Sequence, residues 1–143
     1  MRDNLKMKVL FLCTHNSARS QLAEGLLNYF HGNDFEGMSA GTQPGKVKQL
    51  AIKVLSEIGI DISKHYSKHA KEFLGKEIDV AVTVCDNAKE ECPFFPGAKK
   101  IIHHSFKDPS AGNGTEQEKI EAFRKTRDEI KEWLGKETVN WKR

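Results

Sequence analysis

Cysteine is scarce in this chain of 143 residues: there are three, Cys13, Cys85 and Cys92, an odd count that suits no structural disulfide framework. Proline is nearly as scarce, at four, and no proline-rich or low-complexity stretch or internal repeat interrupts the chain. No apolar run approaches the ~20 residues that span a bilayer, so membrane insertion is not expected. Neither sign of charge dominates. Lys plus Arg number 23 against 20 for Asp plus Glu, a formal net charge of +3. That is too mild, and too evenly interspersed, for a nucleic-acid footprint. No small-residue cleavage pattern follows the short apolar run after Lys6. A cytoplasmic location is therefore expected, where thiols serve metal binding or chemistry more often than stapling. With no linker to divide it, the chain is expected to form one domain over residues 1–143.

What is present is an alternation of strand and helix patterns. Lys8-Val9-Leu10-Phe11-Leu12 is short, apolar and β-prone, as a strand buried on both faces should be. Leu22, Ala23, Leu26, Leu27 and Phe30 recur at helical spacing, with Gly32 as a stop. Phe35 to Ser39 reads as a second strand. Val47, Leu50, Ala51, Val54, Leu55 and Ile58 predict a second helix, stopped by Gly59. Ile78 to Val84 is another buried strand, running straight into Cys85, and Lys99 to His103 a weaker fourth. Thr115 and Glu118 form a capping-box pattern before the stripe of Ile120, Phe123, Ile130 and Leu134, which Gly135 is expected to end. Strands alternating with helices predict an α/β fold on a mostly parallel sheet. In such sheets ligands bind beyond the carboxyl ends of the strands, where Cys13 and Cys85 both stand.

The segment Cys13-Thr14-His15-Asn16-Ser17-Ala18-Arg19-Ser20 falls between the first strand and the first helix. A strand–loop–helix junction points backbone N–H groups and a helix dipole at one place, which makes an oxyanion cradle. Arg19 adds a planar fork able to grip two oxygens of a tetrahedral anion. The same positive field favours the thiolate form of Cys13, a nucleophile facing whatever the loop holds. Ser20 is placed to donate a hydrogen bond to the sulfur, and Asn16 tolerates the left-handed backbone of a tight loop. Cys-x5-Arg alone is a weak signal. Its position after a buried strand and before a helix, followed by Ser, makes it a strong one.

The stretch Val9 to Gly25, with Cys-Thr-His-Asn-Ser-Ala-Arg-Ser-Gln-Leu-Ala-Glu-Gly, resembles the phosphate loop of the low-molecular-weight protein tyrosine phosphatases. It is more similar still to their relatives, the thioredoxin-coupled arsenate reductases. The resemblance extends to Ser39-Ala40-Gly41, Asp61-Ile62-Ser63, Cys85 with Cys92-Pro93, and Asp108-Pro109, in the family order. It implies a four-stranded parallel sheet of order 2-1-3-4 flanked by helices and no cofactor, and the chain is expected to be a monomer. It also implies a substrate loop over residues 13–19 that binds arsenate, with phosphate or sulfate competing. Cys13 would attack arsenate held by Arg19 while Asp108 supplies a proton to the leaving oxygen. A disulfide would then pass from Cys13–Cys85 to Cys85–Cys92 and on to thioredoxin. In the implied order, the strands ending at Cys13 and Cys85 are neighbours, about 4.8 Å apart, close to what a disulfide spans.

A phosphatase needs only Cys13, Arg19 and Asp108, with water as second nucleophile, and is the alternative activity. Phosphatase members carry an aromatic after Asp-Pro, where this chain has Ser110, and a cysteine before the loop arginine, where it has Ala18. A third alternative is a zinc module built from Cys85, Cys92, His103 and His104, although Cys-x6-Cys is wider than usual zinc spacing. His65 and His69, flanked by Lys64 and Lys68, read as exposed surface histidines. The resemblance further implies a potassium site behind the loop, through positions matching Asn16, Glu24 and Ser39 plus an acid at position 68. Lys68 stands there instead, and its ammonium is expected to take the ion's place beside Glu24, so that no metal is needed.

Overall fold

The computed structural model describes residues 5–85, 95–110 and 112–142. Among these residues lie eight elements, in chain order β1 (Met7–Cys13), α1 (Arg19–His31), β2 (Phe35–Gly41), α2 (Gln49–Ser56), a 3-10 turn (Ala70–Phe73), β3 (Ile78–Thr83), β4 (Ala98–His103) and α3 (Glu116–Trp141). The four strands pair in parallel in the order β2-β1-β3-β4. This is the α/β arrangement that the strand–helix alternation predicts.

β1 is central, and its last five residues are buried. Alternation along it divides the core in two. Val9, Phe11 and Cys13 face a cluster built with Leu22, Leu26 and Leu27 of α1, Val54 and Leu55 of α2, and Phe123, Ile130 and Leu134 of α3. Leu10 and Leu12 face the opposite side with Ala40, Phe73, Ile78, Ala81 and Phe95. Each large side chain wholly removed from water contributes about 1.5–3 kcal/mol, which holds the strand ends and the loops they carry in fixed register.

Two helices depart from the sequence pattern. α2 covers only Gln49–Ser56, shorter than the apolar run from Val47 to Ile58, because Lys48 holds extended backbone at its start. Gly59 then reverses the chain with φ +90°. α3 does not stop at Gly135. Its buried stripe continues through Leu134, Thr138 and Trp141, and this packing outweighs the modest propensity cost of a glycine in open space. The capping box at its start is formed: Thr115 Oγ1 accepts from the Glu118 N–H at 3.1 Å and Glu118 Oε1 accepts from the Thr115 N–H at 2.8 Å.

Candidate active site

All four strands point their carboxyl ends the same way, so the segments following them gather at one edge of the sheet. Strand order reverses between β1 and β3, which leaves a crevice there. The register pairs Leu12 with Thr83, and the Val84 N–H donates to the Leu12 carbonyl at 3.0 Å. Cys85 therefore emerges beside the loop that follows Cys13. Both are buried; Cys13 is a free thiol and Cys85 is disulfide-bonded. Cys92 lies outside the described residues.

The loop from Thr14 to Ala18 is held by its carbonyls. Three backbone donors from the segment after β2 pull on it: Gln43 N–H on the Thr14 carbonyl at 2.8 Å, Gly45 N–H on His15 at 3.2 Å, and Lys48 N–H on Ser17 at 2.8 Å. The Asn16 carbonyl accepts from Ser67 Oγ at 2.8 Å and from Gln21 Nε2 at 3.2 Å. Four successive loop carbonyls, from Thr14 to Ser17, are thus engaged by the segments packed around the loop. Gly41 permits the close approach of β2. A Cβ there would fall 2.5 Å from the Thr14 oxygen and 2.6 Å from the Cys13 oxygen.

Asn16 is the keystone of the loop. It is fully buried and holds φ at +52°, the left-handed region that asparagine tolerates better than most residues. Its Oδ1 accepts from the Lys68 N–H at 2.9 Å, and its Nδ2 donates to Ser20 Oγ at 2.8 Å. Ser20 Oγ, having accepted that bond, lies 3.0 Å from Cys13 Sγ, a contact in which either group can donate while Cys13 is a thiol and only the hydroxyl can once it is a thiolate. A thiolate at Cys13 would thus receive a directed hydroxyl at the end of a fixed chain of donors.

Arg19 opens α1 and is almost wholly buried. Its Nη1 donates to the Phe106 carbonyl at 3.1 Å, and its Nη2 lies 3.8 Å from Asp108 Oδ2. The guanidinium is thereby stretched between α1 and the segment after β4. Outside it opens a cleft of about 550 Å³ lined by His15, Ser17, Arg19, Lys46, Lys48 and Asp108. His15 donates from Nδ1 to the Gln43 carbonyl at 3.0 Å, so its ring sits on the rim of the mouth.

Behind the loop the arrangement differs from expectation. The Lys68 ammonium does not neutralise Glu24; it donates to the Tyr66 carbonyl at 2.9 Å and lies over the Tyr66 ring. Glu24 accepts from Ser39 Oγ at 2.5 Å, and the cationic candidate beside it is His65, whose Nε2 is 3.7 Å from Glu24 Oε2. His65 is therefore no surface histidine. Its Nδ1 contacts Gln21 Oε1 at 3.0 Å, and Gln21 in turn supports the Asn16 and Tyr66 carbonyls. Ser67 and His65 carry no motif signal, and Gln21 lies inside the motif without its role being legible, because their partners lie up to 51 residues away. Among the described residues no three His, Cys, Asp or Glu side chains gather as metal ligands. His103 instead shares a 2.7 Å contact with Thr83 Oγ1, and His104 stacks on Trp133.

Residues 8–138 match the family described as low molecular weight phosphotyrosine protein phosphatase. The chain belongs to that family. Within it, the chain is 42% identical over 125 residues to the arsenate reductase of Halalkalibacterium halodurans, covering 87% of this chain and 90% of that one. Among solved structures it is similar to an arsenate reductase in the phosphate binding state, with TM-score 0.78 and 28% identity, covering 94% and 98% of the two chains. It is also similar to the thioredoxin-dependent arsenate reductase of Corynebacterium glutamicum, with TM-score 0.66 and 29% identity, covering 94% of this chain and 63% of that one. Family membership accounts for the shared loop and sheet order; the low-molecular-weight phosphatase fold is the common scaffold.

Proposed function

We propose that this chain is an arsenate reductase that works through Cys13, Cys85 and Cys92 and is recharged by thioredoxin. The observation that carries the reading is the free Cys13 thiol at the floor of an oxyanion loop, with a disulfide-bonded second cysteine emerging from the neighbouring strand. Loop N–H groups and Arg19 bind the arsenate oxygens. The Cys13 thiolate attacks arsenic, and Asp108 gives its proton to the departing hydroxyl, which leaves as water. Arsenic is still pentavalent in this adduct. The Cys85 thiolate then attacks the Cys13 sulfur. Two thiols become one disulfide, and the sulfur–arsenic electron pair leaves with arsenite, now trivalent. Cys92 attacks Cys85, freeing Cys13, and the reductant dithiol opens the Cys85–Cys92 bond by exchange. A disulfide-bonded Cys85 beside a free Cys13 supports this order of exchange. Every group up to the Cys85–Cys92 disulfide comes from one chain, in keeping with a monomer in the reducing cytoplasm, and phosphate or sulfate would compete for the loop.

The test is arsenate-dependent NADPH consumption in the presence of thioredoxin and thioredoxin reductase. Cys13→Ser should abolish it. Cys85→Ser and Cys92→Ser should each stop multiple turnover yet keep hydrolysis of a small aryl phosphate. In single turnover Cys92→Ser should release one arsenite per enzyme and Cys85→Ser little. Parent-like turnover by both variants would sink the relay and favour a phosphatase.

A further inference from the structure

The two oxygens of Asp108 are held differently. Oδ1 accepts two hydrogen bonds from Ser110, from the backbone N–H at 3.0 Å and from the hydroxyl at 2.7 Å. Oδ2 faces Arg19 Nη2 at 3.8 Å, and Arg19 is itself tied to the Phe106 carbonyl. Any residue but proline at position 110 would supply the N–H. The Ser110 hydroxyl supplies the second donor. An oxygen that already accepts two hydrogen bonds is a poor carrier for a proton, whereas its partner across the carboxyl is not so engaged. Asp108 and Ser110 both line the cleft that opens over Arg19.

We propose that Ser110 is a positioning residue: its hydroxyl locks the Asp108 carboxyl so that Oδ2 carries the proton toward the oxygen leaving the anion held by Arg19. This rests on the reading of Asp108 as the acid of the proposed reaction. A carboxyl free to turn would spend part of its time with the protonated oxygen aimed away, and general acid catalysis depends on hydrogen-bond geometry at the reacting atom. Ser110 itself is exposed, so its truncation removes little buried surface.

The experiment is a double-mutant cycle of parent, Ser110→Ala, Asp108→Ala and the double variant. Its readouts are single-turnover arsenite release, and kcat/KM for phenyl phosphate and for 4-nitrophenyl phosphate. Phenolate is a poor leaving group that needs a proton, and 4-nitrophenolate needs little help. Ser110→Ala should slow arsenite release and phenyl phosphate cleavage by about three- to tenfold, a fraction of the whole effect of a general acid. It should leave 4-nitrophenyl phosphate and the thermal unfolding midpoint unchanged. In the Asp108→Ala background it should cost nothing further. Equal losses on the two esters, or a loss that persists without Asp108, would overturn the proposal. A parent that cleaves both esters but reduces no arsenate would overturn the reductase reading instead, and the cycle on phenyl phosphate would still decide the role of Ser110.

Discussion

Asn16 shows how much one side chain can carry when its backbone, its carbonyl and its amide are all engaged. It lies inside the motif and its tolerance of left-handed backbone is readable from residue type. Its partners are not. Ser67, Lys68 and Gln21 reach it only because the fold returns the chain past the loop. The reverse holds for Lys68, where position in the chain points at Glu24 but the exposed ammonium settles on the Tyr66 carbonyl. These two residues should part on mutation. Asn16→Ala removes a buried donor and acceptor and should cost about 1–3 kcal/mol, with activity falling as Ser20 loses its direction. Lys68→Ala keeps its backbone N–H on Asn16 and should stay within about 0.5 kcal/mol, as a surface substitution does. Urea unfolding of both variants measures the difference; a Lys68→Ala loss as large as that of Asn16→Ala would restore the ammonium to a place beside Glu24.

Among the elements, β1 and β3 are the most readable because a strand buried on both faces reads as a near-continuous apolar run, broken here only at Lys8, Asp79 and Thr83. Helix ends are less so. Gly135 has the look of a stop, yet the helix runs on past it because Thr138 and Trp141 find a surface to cover, which α1 and the sheet provide. Gly41 is the opposite case, a glycine at an ordinary strand end that the neighbouring loop makes indispensable. Alanine distinguishes the two. At Gly135 nothing lies within 4 Å of the new Cβ, so Gly135→Ala should raise stability by roughly 0.5–1 kcal/mol through helix propensity. At Gly41 the Cβ strikes loop backbone, which cannot swing aside as a side-chain end can. Gly41→Ala should therefore lower the unfolding midpoint and disproportionately reduce turnover, by displacing Thr14 and Cys13. Calorimetry with a parallel assay checks both, and a fully active Gly41→Ala would mean the loop yields more easily than its hydrogen bonds suggest.

At the scale of the whole molecule, several groups far from the cleft tie stability to pH. Burial holds the His31 imidazole below its ordinary value of 6.5, with Lys142 adding to the effect. A histidine that resists protonation in the fold costs stability once the unfolded chain binds protons, so the loss begins as pH falls through about 6.5. Glu57 acts lower down. The hydrogen bond from Arg124, with the charges of Arg124 and Arg127 beside it, lowers its carboxyl to about 2 from 4.5, and both arginines lie on α3 while Glu57 closes α2. Its contribution is present above about 4.5 and disappears as pH falls toward about 2. Asp61, bonded by Ser63, is shifted in the same direction. Lys99 is raised by its hydrogen bond and charge contact with Asp79 and by Glu77, so its share survives below 10.5 and is lost as pH climbs through the raised value. For these groups the signs agree: His31 and the carboxylates Glu57 and Asp61 withdraw stability on the acid side, in two stages, and Lys99 on the alkaline side. Thermal unfolding as a function of pH should show both stages, and single substitutions should separate them. His31→Asn should flatten the decline between about pH 6.5 and 5. Glu57→Gln should lie below the parent at neutral pH and converge on it as pH approaches 2, because protonation then removes from the parent what the substitution has already removed. A gap between parent and Glu57→Gln that stays constant down to pH 2 would show that the α2–α3 contact holds by packing and not by charge.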